Sequence, residues 1–299
     1  MNFKLNQQIF SERYLNNEIE VFIKRLDLID PFISGNKLFK LKHNVDRALL
    51  EEKNMLITFG GAFSNHILAT AAYAKKKNID CLAIVRGEEY SELNPLLALA
   101  KEYGMNFCFV SRKEYAKRND NNYISELIRK YKKAFIVPEG GNNKLGVLGA
   151  EEILETQDKS FDYIICPIGT GATLSGIVNS SNRSQKVIGI NCINDTKDIN
   201  KNISQKTNKN NWEIINEFNF GGFAKFDNLL TEYLKKFKLN YKITLDLNYT
   251  TKMFFGFEKL IERRYFHRKS KVLLIHTGGT YGNLGFNYLY DLDLPHESN

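Results

Sequence analysis

Ile168-Gly169-Thr170-Gly171-Ala172-Thr173-Leu174-Ser175-Gly176 is the stretch that decides how this chain is read. It follows the strand-like run Asp162 to Cys166 and opens a helical pattern over Ala172 to Asn179. Glycines in such a turn leave backbone N–H groups free to surround an anion, and the helix start adds partial positive charge. Thr170 and Thr173 bring hydroxyl donors to the same turn. The turn lacks the Gly-Lys-[Ser/Thr] ending of a P-loop, and its glycine spacing differs from the dinucleotide fingerprint GxGxxG. A single phosphate monoester therefore suits it better than a pyrophosphate. The competing reading is a tight strand-to-helix turn that binds nothing.

Outward from this turn, short apolar runs alternate with longer amphipathic ones. Met55 to Phe59, Cys81 to Arg86, Asn106 to Val110, Ala134 to Val137, Tyr163 to Cys166, Val187 to Cys192 and Lys271 to Ile275 read as strands. Asn65 to Lys77, Arg112 to Tyr131 and Lys144 to Leu154 read as helices. Asn94-Pro95 opens another, with Asn as cap and Pro at the first helical position, and Gly104 ends it. Such alternation implies an α/β fold of parallel sheet layers covered by helices, joined by right-handed crossovers. Thr196 to Trp212 is polar and rich in Lys and Asn, and reads as a surface loop or a mobile helix. No Pro-rich or Ser-rich linker divides the chain, so two domains, if present, are interleaved.

The 299 residues are 43% hydrophobic and 25% charged, which excludes an intrinsically disordered chain. With 20 Gly and 4 Cys, collagen-like and disulfide-scaffold readings fail as well. No uncharged apolar stretch approaches the ~20 residues of a membrane helix, and Met1 to Tyr14 lacks the apolar core of a secretory signal. The formal net charge is +8, but the basic residues are scattered. The longest basic run, Lys75-Lys76-Lys77, falls where a helix should end and so answers the helix dipole. The expectation is no nucleic-acid partner and no membrane partner. Cys81, Cys108, Cys166 and Cys192 form no CxxC pair, and no His/Cys cluster has metal-ligand spacing. A reducing, cytoplasmic setting without a metal fits best.

Three further segments carry chemistry-bearing residues. In Ser34-Gly35-Asn36-Lys37-Leu38-Phe39-Lys40-Leu41 a helix begins near Lys37. A lysine in a first helical turn faces an unfavourable dipole, which favours the free amine, a nucleophile able to form a Schiff base. The competing reading makes Lys37 one of many surface lysines. Gly60-Gly61-Ala62-Phe63-Ser64-Asn65-His66 lies between a strand and a helix. Its backbone N–H groups suit a carboxylate, while Ser64 or Asn65 equally reads as a plain helix cap. His276-Thr277-Gly278-Gly279-Thr280-Tyr281-Gly282 follows the last strand, at the strand end where sites gather in open α/β sheets.

Taken in order, these segments resemble one family: the pyridoxal-phosphate (PLP) enzymes grouped as 1-aminocyclopropane-1-carboxylate deaminase and D-cysteine desulfhydrase. The resemblance spans most of the chain. It also takes in Gly140-Gly141 with Gly146 and Gly149, and Asn248-Tyr249-Thr250 with Lys252 and Gly256. It implies the fold shared with the tryptophan synthase β subunit, fold type II: two open, twisted, mostly parallel sheets flanked by helices. The larger domain would comprise 1–50 and 140–299, and 51–139 would be a smaller αβ domain inserted in it. PLP would lie in the cleft between them, the partner would be a small amino-acid substrate, and relatives of this kind are usually homodimers.

By that resemblance, Lys37 would hold PLP through a Schiff base and move the substrate's α-proton. Asn65 would meet the coenzyme's phenolic oxygen. Gly169, Thr170, Gly171, Ala172 and Thr173 would cradle the phosphate, and Thr250 would face the pyridine nitrogen. Ser64, Asn65 and His66 would meet the substrate carboxylate, with Ser64 also near the reacting carbon, and Tyr249 and Phe223 would line the substrate side. Family deaminases carry Glu where this chain has Thr250, whereas desulfhydrases carry Thr. A hydroxyl leaves the ring nitrogen largely unprotonated, so expulsion of a β-leaving group is favoured over ring opening. The implied reaction is β-elimination from a D-amino acid such as D-cysteine, giving pyruvate, ammonia and sulfide. The alternatives are 1-aminocyclopropane-1-carboxylate deamination, and a protein that binds PLP or an amino acid without turnover. Two positions depart from the family: Phe223 falls where a second active-site Tyr is typical, and Phe39 where Arg is common.

Overall fold

The computed structural model describes residues 5–88, 92–195 and 197–296. Residues 1–4 and 196, which the sequence reading included in its first and its polar stretch, lie outside the described residues. The strands are β1 (Asn6–Ile9), β2 (Glu20–Arg25), β3 (Met55–Gly61), β4 (Asp80–Arg86), β5 (Met105–Val110), β6 (Ala134–Val137), β7 (Tyr163–Ile168), β8 (Lys186–Asn191), β9 (Trp212–Ile215) and β10 (Lys271–His276). The helices begin with α1 (Glu12–Asn16), α2 (Asn36–Leu50), α3 (Asn65–Lys76), α4 (Pro95–Glu102), α5 (Arg112–Tyr115) and α6 (Asn121–Lys130). They continue with α7 (Lys144–Glu151), α8 (Ala172–Ser180), α9 (Lys197–Ser204), α10 (Asn228–Tyr241), α11 (Thr250–Glu262) and α12 (Gly282–Tyr290).

The strands form two sheets, in the orders β1-β2-β10-β7-β8-β9 and β5-β4-β3-β6. Every pairing is parallel except β1 with β2. The first sheet draws β2 from near one end of the chain and β10 from near the other, in register from Lys271 opposite Glu20 to His276 opposite Arg25. The second sheet is built wholly from strands lying between Met55 and Val137.

Both faces of each sheet are buried, as parallel layers require. In β7, Tyr163 and Ile165 point into one core, while Ile164, Cys166 and Ile168 point into another. Val272 and Leu274 of β10 follow the first set, and Leu273 and Ile275 the second. The smaller sheet repeats the two-residue alternation: Cys81, Ala83 and Val85 face one layer, Leu82 and Ile84 the other.

Two local outcomes differ from the sequence pattern. The helix expected over Arg112 to Tyr131 is two helices, because Asp120 accepts hydrogen bonds from the Asn122 and Tyr123 N–H groups and starts α6 afresh. The polar stretch before Trp212 contains α9, and Trp212 itself opens β9 at the sheet edge. β9 is only four residues long, Trp-Glu-Ile-Ile, too short for alternation to reveal it. The cap at Asn94 and the proline at the start of α4 fall where the sequence places them.

Two buried charge groups tie the larger sheet together. Lys24 bonds Asp158 at 2.7 Å with both side chains buried, and Glu155 at 2.8 Å. Asp27 bonds Arg25 at 2.6 Å and lies 3.3 Å from the His276 ring. Burial alone would raise the Asp27 carboxyl, but His276 and Arg25 hold it below its usual range.

Candidate active site

The chemistry-bearing turns follow the carboxyl ends of parallel strands, where open α/β folds collect their sites. Gly60 and Gly61 close β3 ahead of α3, Gly169 to Gly171 join β7 to α8, and Thr277 to Tyr281 follow β10. Gly35 joins two of these segments. Its φ is +67°, and a Cβ there would stand 1.9 Å from the Thr277 carbonyl oxygen, so only glycine permits the contact. The Asn36 N–H donates to that same oxygen at 3.2 Å.

Lys37 is in the first turn of α2 and half-buried. Its Nζ donates to Asn36 Oδ1 at 2.9 Å, and Asn36 Nδ2 donates to Thr173 Oγ1 at 2.8 Å. This chain of bonds ties the amine to the glycine turn, which begins α8 with Gly171 in the left-handed region (φ +87°) and no side-chain cap. The first N–H groups of α8 thus stay available, as at any uncapped helix start. Burial lowers the Lys37 amine to about 8, against the opposing pull of Asp246 and Cys166. The sequence argument expected this direction from the helix dipole, whereas burial is the dominant cause in the folded protein.

Asp246 is buried beneath the site. Its carboxylate accepts from the Tyr249 N–H (2.9 Å), the Thr250 N–H (2.9 Å) and the Thr250 hydroxyl (2.7 Å). Burial pushes this carboxyl up, against those hydrogen bonds. The Tyr249 ring covers Gly169, where a Cβ would stand 3.0 Å from it. Burial and the neighbouring Asp246 raise the Tyr249 phenol, which stays protonated at neutral pH. Phe223 is half exposed, and its ring centroid lies 6.2 Å from that of Tyr249.

On the opposite wall, Ser64 precedes α3 without capping it, and its hydroxyl makes no hydrogen bond among the described residues. Asn65 Nδ2 donates to Gly279 O at 2.9 Å, while Asn65 Oδ1 is buried without a partner. His66 turns its ring inward. The Thr58 hydroxyl donates to Val137 O, so it accepts from His66 Nε2–H at 2.8 Å. Burial, with Lys37 and Lys40 nearby, holds this imidazole well below its usual range, hence neutral.

The sequence reading gave no role to two residues that the fold brings here. Lys40 is buried, and its amine makes no hydrogen bond among the described residues. Burial, Lys37 and Lys206 push its amine well below the lysine range. Its chain packs against Gly141, and a Cβ on the adjoining Gly140 would meet Thr170. The usable signal was spacing, since Lys37 and Lys40 are three apart on one helix face. Asp246 was the other, four residues ahead of Thr250 at a helix start. Tyr281 stacks on Phe32 at 5.3 Å inside the smaller sheet's core. A separate hollow ringed by Ser11, Arg13, Tyr233 and Glu258 holds none of these residues.

An amine lowered toward neutral pH, an uncapped helix start, an Asn65 amide with a spare N–H and a second buried lysine without a hydrogen bond among the described residues together fit PLP, which is an aldehyde, a polar ring and a phosphate. The family model described as "Pyridoxal-phosphate dependent enzyme" matches residues 8–278. The chain belongs to this family of PLP-dependent enzymes. A putative 1-aminocyclopropane-1-carboxylate deaminase of Thermotoga maritima is 30% identical over 293 residues, covering 91% of each chain. A bifunctional D-cysteine desulfhydrase/1-aminocyclopropane-1-carboxylate deaminase of Arabidopsis thaliana is 29% identical, covering 90% of this chain and 74% of that one. The solved structure of a deaminase homologue superposes with a TM-score of 0.81 at 26% identity, over 96% of this chain and 93% of that one. This PLP enzyme thus has the two-sheet, mostly parallel α/β fold expected from its sequence. No helix of the described residues is long and apolar enough to cross a membrane.

Proposed function

We propose that this PLP enzyme is a lyase of small amino acids whose preferred reaction is β-elimination from a D-amino acid such as D-cysteine, giving pyruvate, ammonia and sulfide. The observation that carries the reading is the bonded chain from Lys37 through Asn36 to Thr173, which sets a reactive amine beside a phosphate-sized turn. PLP supplies an electron sink for the bonds at the substrate's α-carbon.

The residues then divide the work. Gly169, Thr170, Gly171, Ala172 and Thr173 would hold the phosphate through backbone N–H groups and hydroxyls, and Lys40, its amine protonated once that anion is beside it, would balance its charge. Asn65 has a second amide N–H for the phenolic oxygen. Lys37 Nζ holds the coenzyme and moves the α-proton, a task suited to an amine near 8. The N–H groups in the first turn of α3 and the free Ser64 hydroxyl take the substrate carboxylate. His66 acts here through its backbone, because its ring is committed to Thr58. Tyr249 and Phe223 wall the substrate side.

Thr250 favours elimination over ring opening. No carboxylate stands directly at its position, and Asp246 behind it is already engaged by three donors. Deamination of 1-aminocyclopropane-1-carboxylate is the second reading, favoured by the names of the relatives above. The partition of strands supports 51–139 as the smaller domain. The four free cysteines support a cytoplasmic setting. A homodimer is proposed by resemblance alone, and light scattering after gel filtration tests it.

The test is product analysis with purified, PLP-loaded protein. Sulfide and pyruvate from D-cysteine support the proposal. Ketobutyrate from the cyclopropane acid, with none of the former products, replaces it by the second reading. A coloured protein inert to both and to a panel of D-amino acids refutes turnover of this class and supports a binding role.

A further inference from the structure

Lys252, in the first turn of α11, is fully buried. Its Nζ donates to three backbone carbonyls: Gly222 O at 2.6 Å, Asn219 O at 2.9 Å and Cys192 O at 3.3 Å. An ammonium has three N–H donors, so its capacity is filled. No carboxylate forms an ion pair with it among the described residues. Converging carbonyl dipoles therefore meet the charge directly, which is how a carbonyl-lined site holds a dehydrated monovalent cation. Lys252 is also thereby unavailable to the coenzyme, in contrast to Lys37, whose amine is bonded only to Asn36 among the described residues.

The carbonyls come from two separate segments. Cys192 follows β8, whereas Asn219 and Gly222 belong to the turn before α10. That turn is strained: Phe220 (φ +52°) and Ala224 (φ +56°) are left-handed non-glycine residues, with Gly221 and Gly222 also at positive φ. Such a run persists only where its surroundings fix it. On one side of Phe223, Gly222 O is held by Lys252. On the other, the Ala224 N–H donates to Asn248 Oδ1 at 2.9 Å.

We propose that the Lys252 ammonium fills a built-in monovalent-cation site whose carbonyl ligands fix the turn carrying Phe223. Potassium or ammonium ions are the free species that this site would otherwise take. Lys252 is thus a positioning residue, and it makes the wild-type protein indifferent to monovalent salts. The cation site stands on the carbonyl geometry alone, and only the role of Phe223 beside substrate rests on the lyase reading.

The experiment compares the PLP-loaded wild type with Lys252→Ala in potassium, ammonium or tetramethylammonium chloride at equal ionic strength. Thermal melting and the rate of tryptic cleavage at Lys225 are the readouts. The wild type should melt alike in all three salts. Lys252→Ala should melt lower in tetramethylammonium and regain several degrees, with slower cleavage, as potassium or ammonium saturates the vacated site. Lys252→Met, which fills the volume without charge, should show no such recovery. If Lys252→Ala aggregates, refolding yield in the same salts is the readout, with recovery expected only in potassium or ammonium. A variant that behaves alike in all salts, or a wild type with the variant's potassium response, overturns the proposal. Neither readout uses a substrate, so failure of the lyase reading would leave this result interpretable.

Discussion

Lys37 should capture PLP along a pH profile that levels off near pH 8. Burial lowers its amine from 10.5 to about 8. At ten-fold per pH unit, that raises the free-amine fraction at neutral pH roughly 300-fold, to about one molecule in ten at pH 7. The coenzyme phosphate completes its second ionisation near pH ~6, below this window. Stopped-flow absorbance of apoprotein mixed with PLP should therefore show a rate rising about ten-fold per unit to pH ~8 and then a plateau. Asp246 is the strongest group opposing the shift, since its negative charge favours the ammonium. Asp246→Asn keeps an acceptor for Thr250 and removes the charge, so the plateau should begin at lower pH. A rate that climbs without a break to pH ~10, as for an ordinary lysine, refutes the reasoning, as does a plateau that Asp246→Asn moves upward.

Other consequences are open to direct measurement. Lys40→Met should raise the PLP dissociation constant about 10- to 100-fold, the worth of one charge-assisted hydrogen bond of about 1.5–3 kcal/mol, and equilibrium dialysis with an unchanged constant would refute it. Lys24→Met strands the buried Asp158 carboxylate and should cost about 3–5 kcal/mol in denaturant unfolding, whereas a loss under ~1 kcal/mol would mean that the pair is expendable. Phe223→Tyr restores a phenol at the substrate side and should raise turnover of D-cysteine by ~10-fold or more, within the range of general acid–base catalysis. Equal kcat for the two proteins would remove that position from the chemistry.

Much of this account was legible because it rests on local pattern. The continuous apolar run Tyr163 to Cys166 predicts a strand, which the fold extends to Ile168, and Gly169 to Gly171 interrupt it where a helix must start. The Asn94-Pro95 cap carries its own mechanism and falls where expected. What was not legible depends on partners far apart in sequence. Lys252 reads as an ordinary helix lysine until Cys192, Asn219 and Gly222 turn their carbonyls on it. The Lys24 to Asp158 pair spans more than a hundred residues, and neither residue announces the other. His66 shows a further limit, because the tautomer that commits its ring is set by Thr58 and Val137. At β9 four residues are too few to announce a strand, and the ladder with β8 at the sheet edge defines it.

The central claim is a covalent one, and borohydride tests it most directly. Reduction of the yellow, PLP-loaded protein should abolish its visible band and leave one pyridoxyl group, placed on Lys37 by peptide mapping. A label on Lys40, Lys206 or Lys252 instead, or a protein that stays colourless with PLP, would contradict the account.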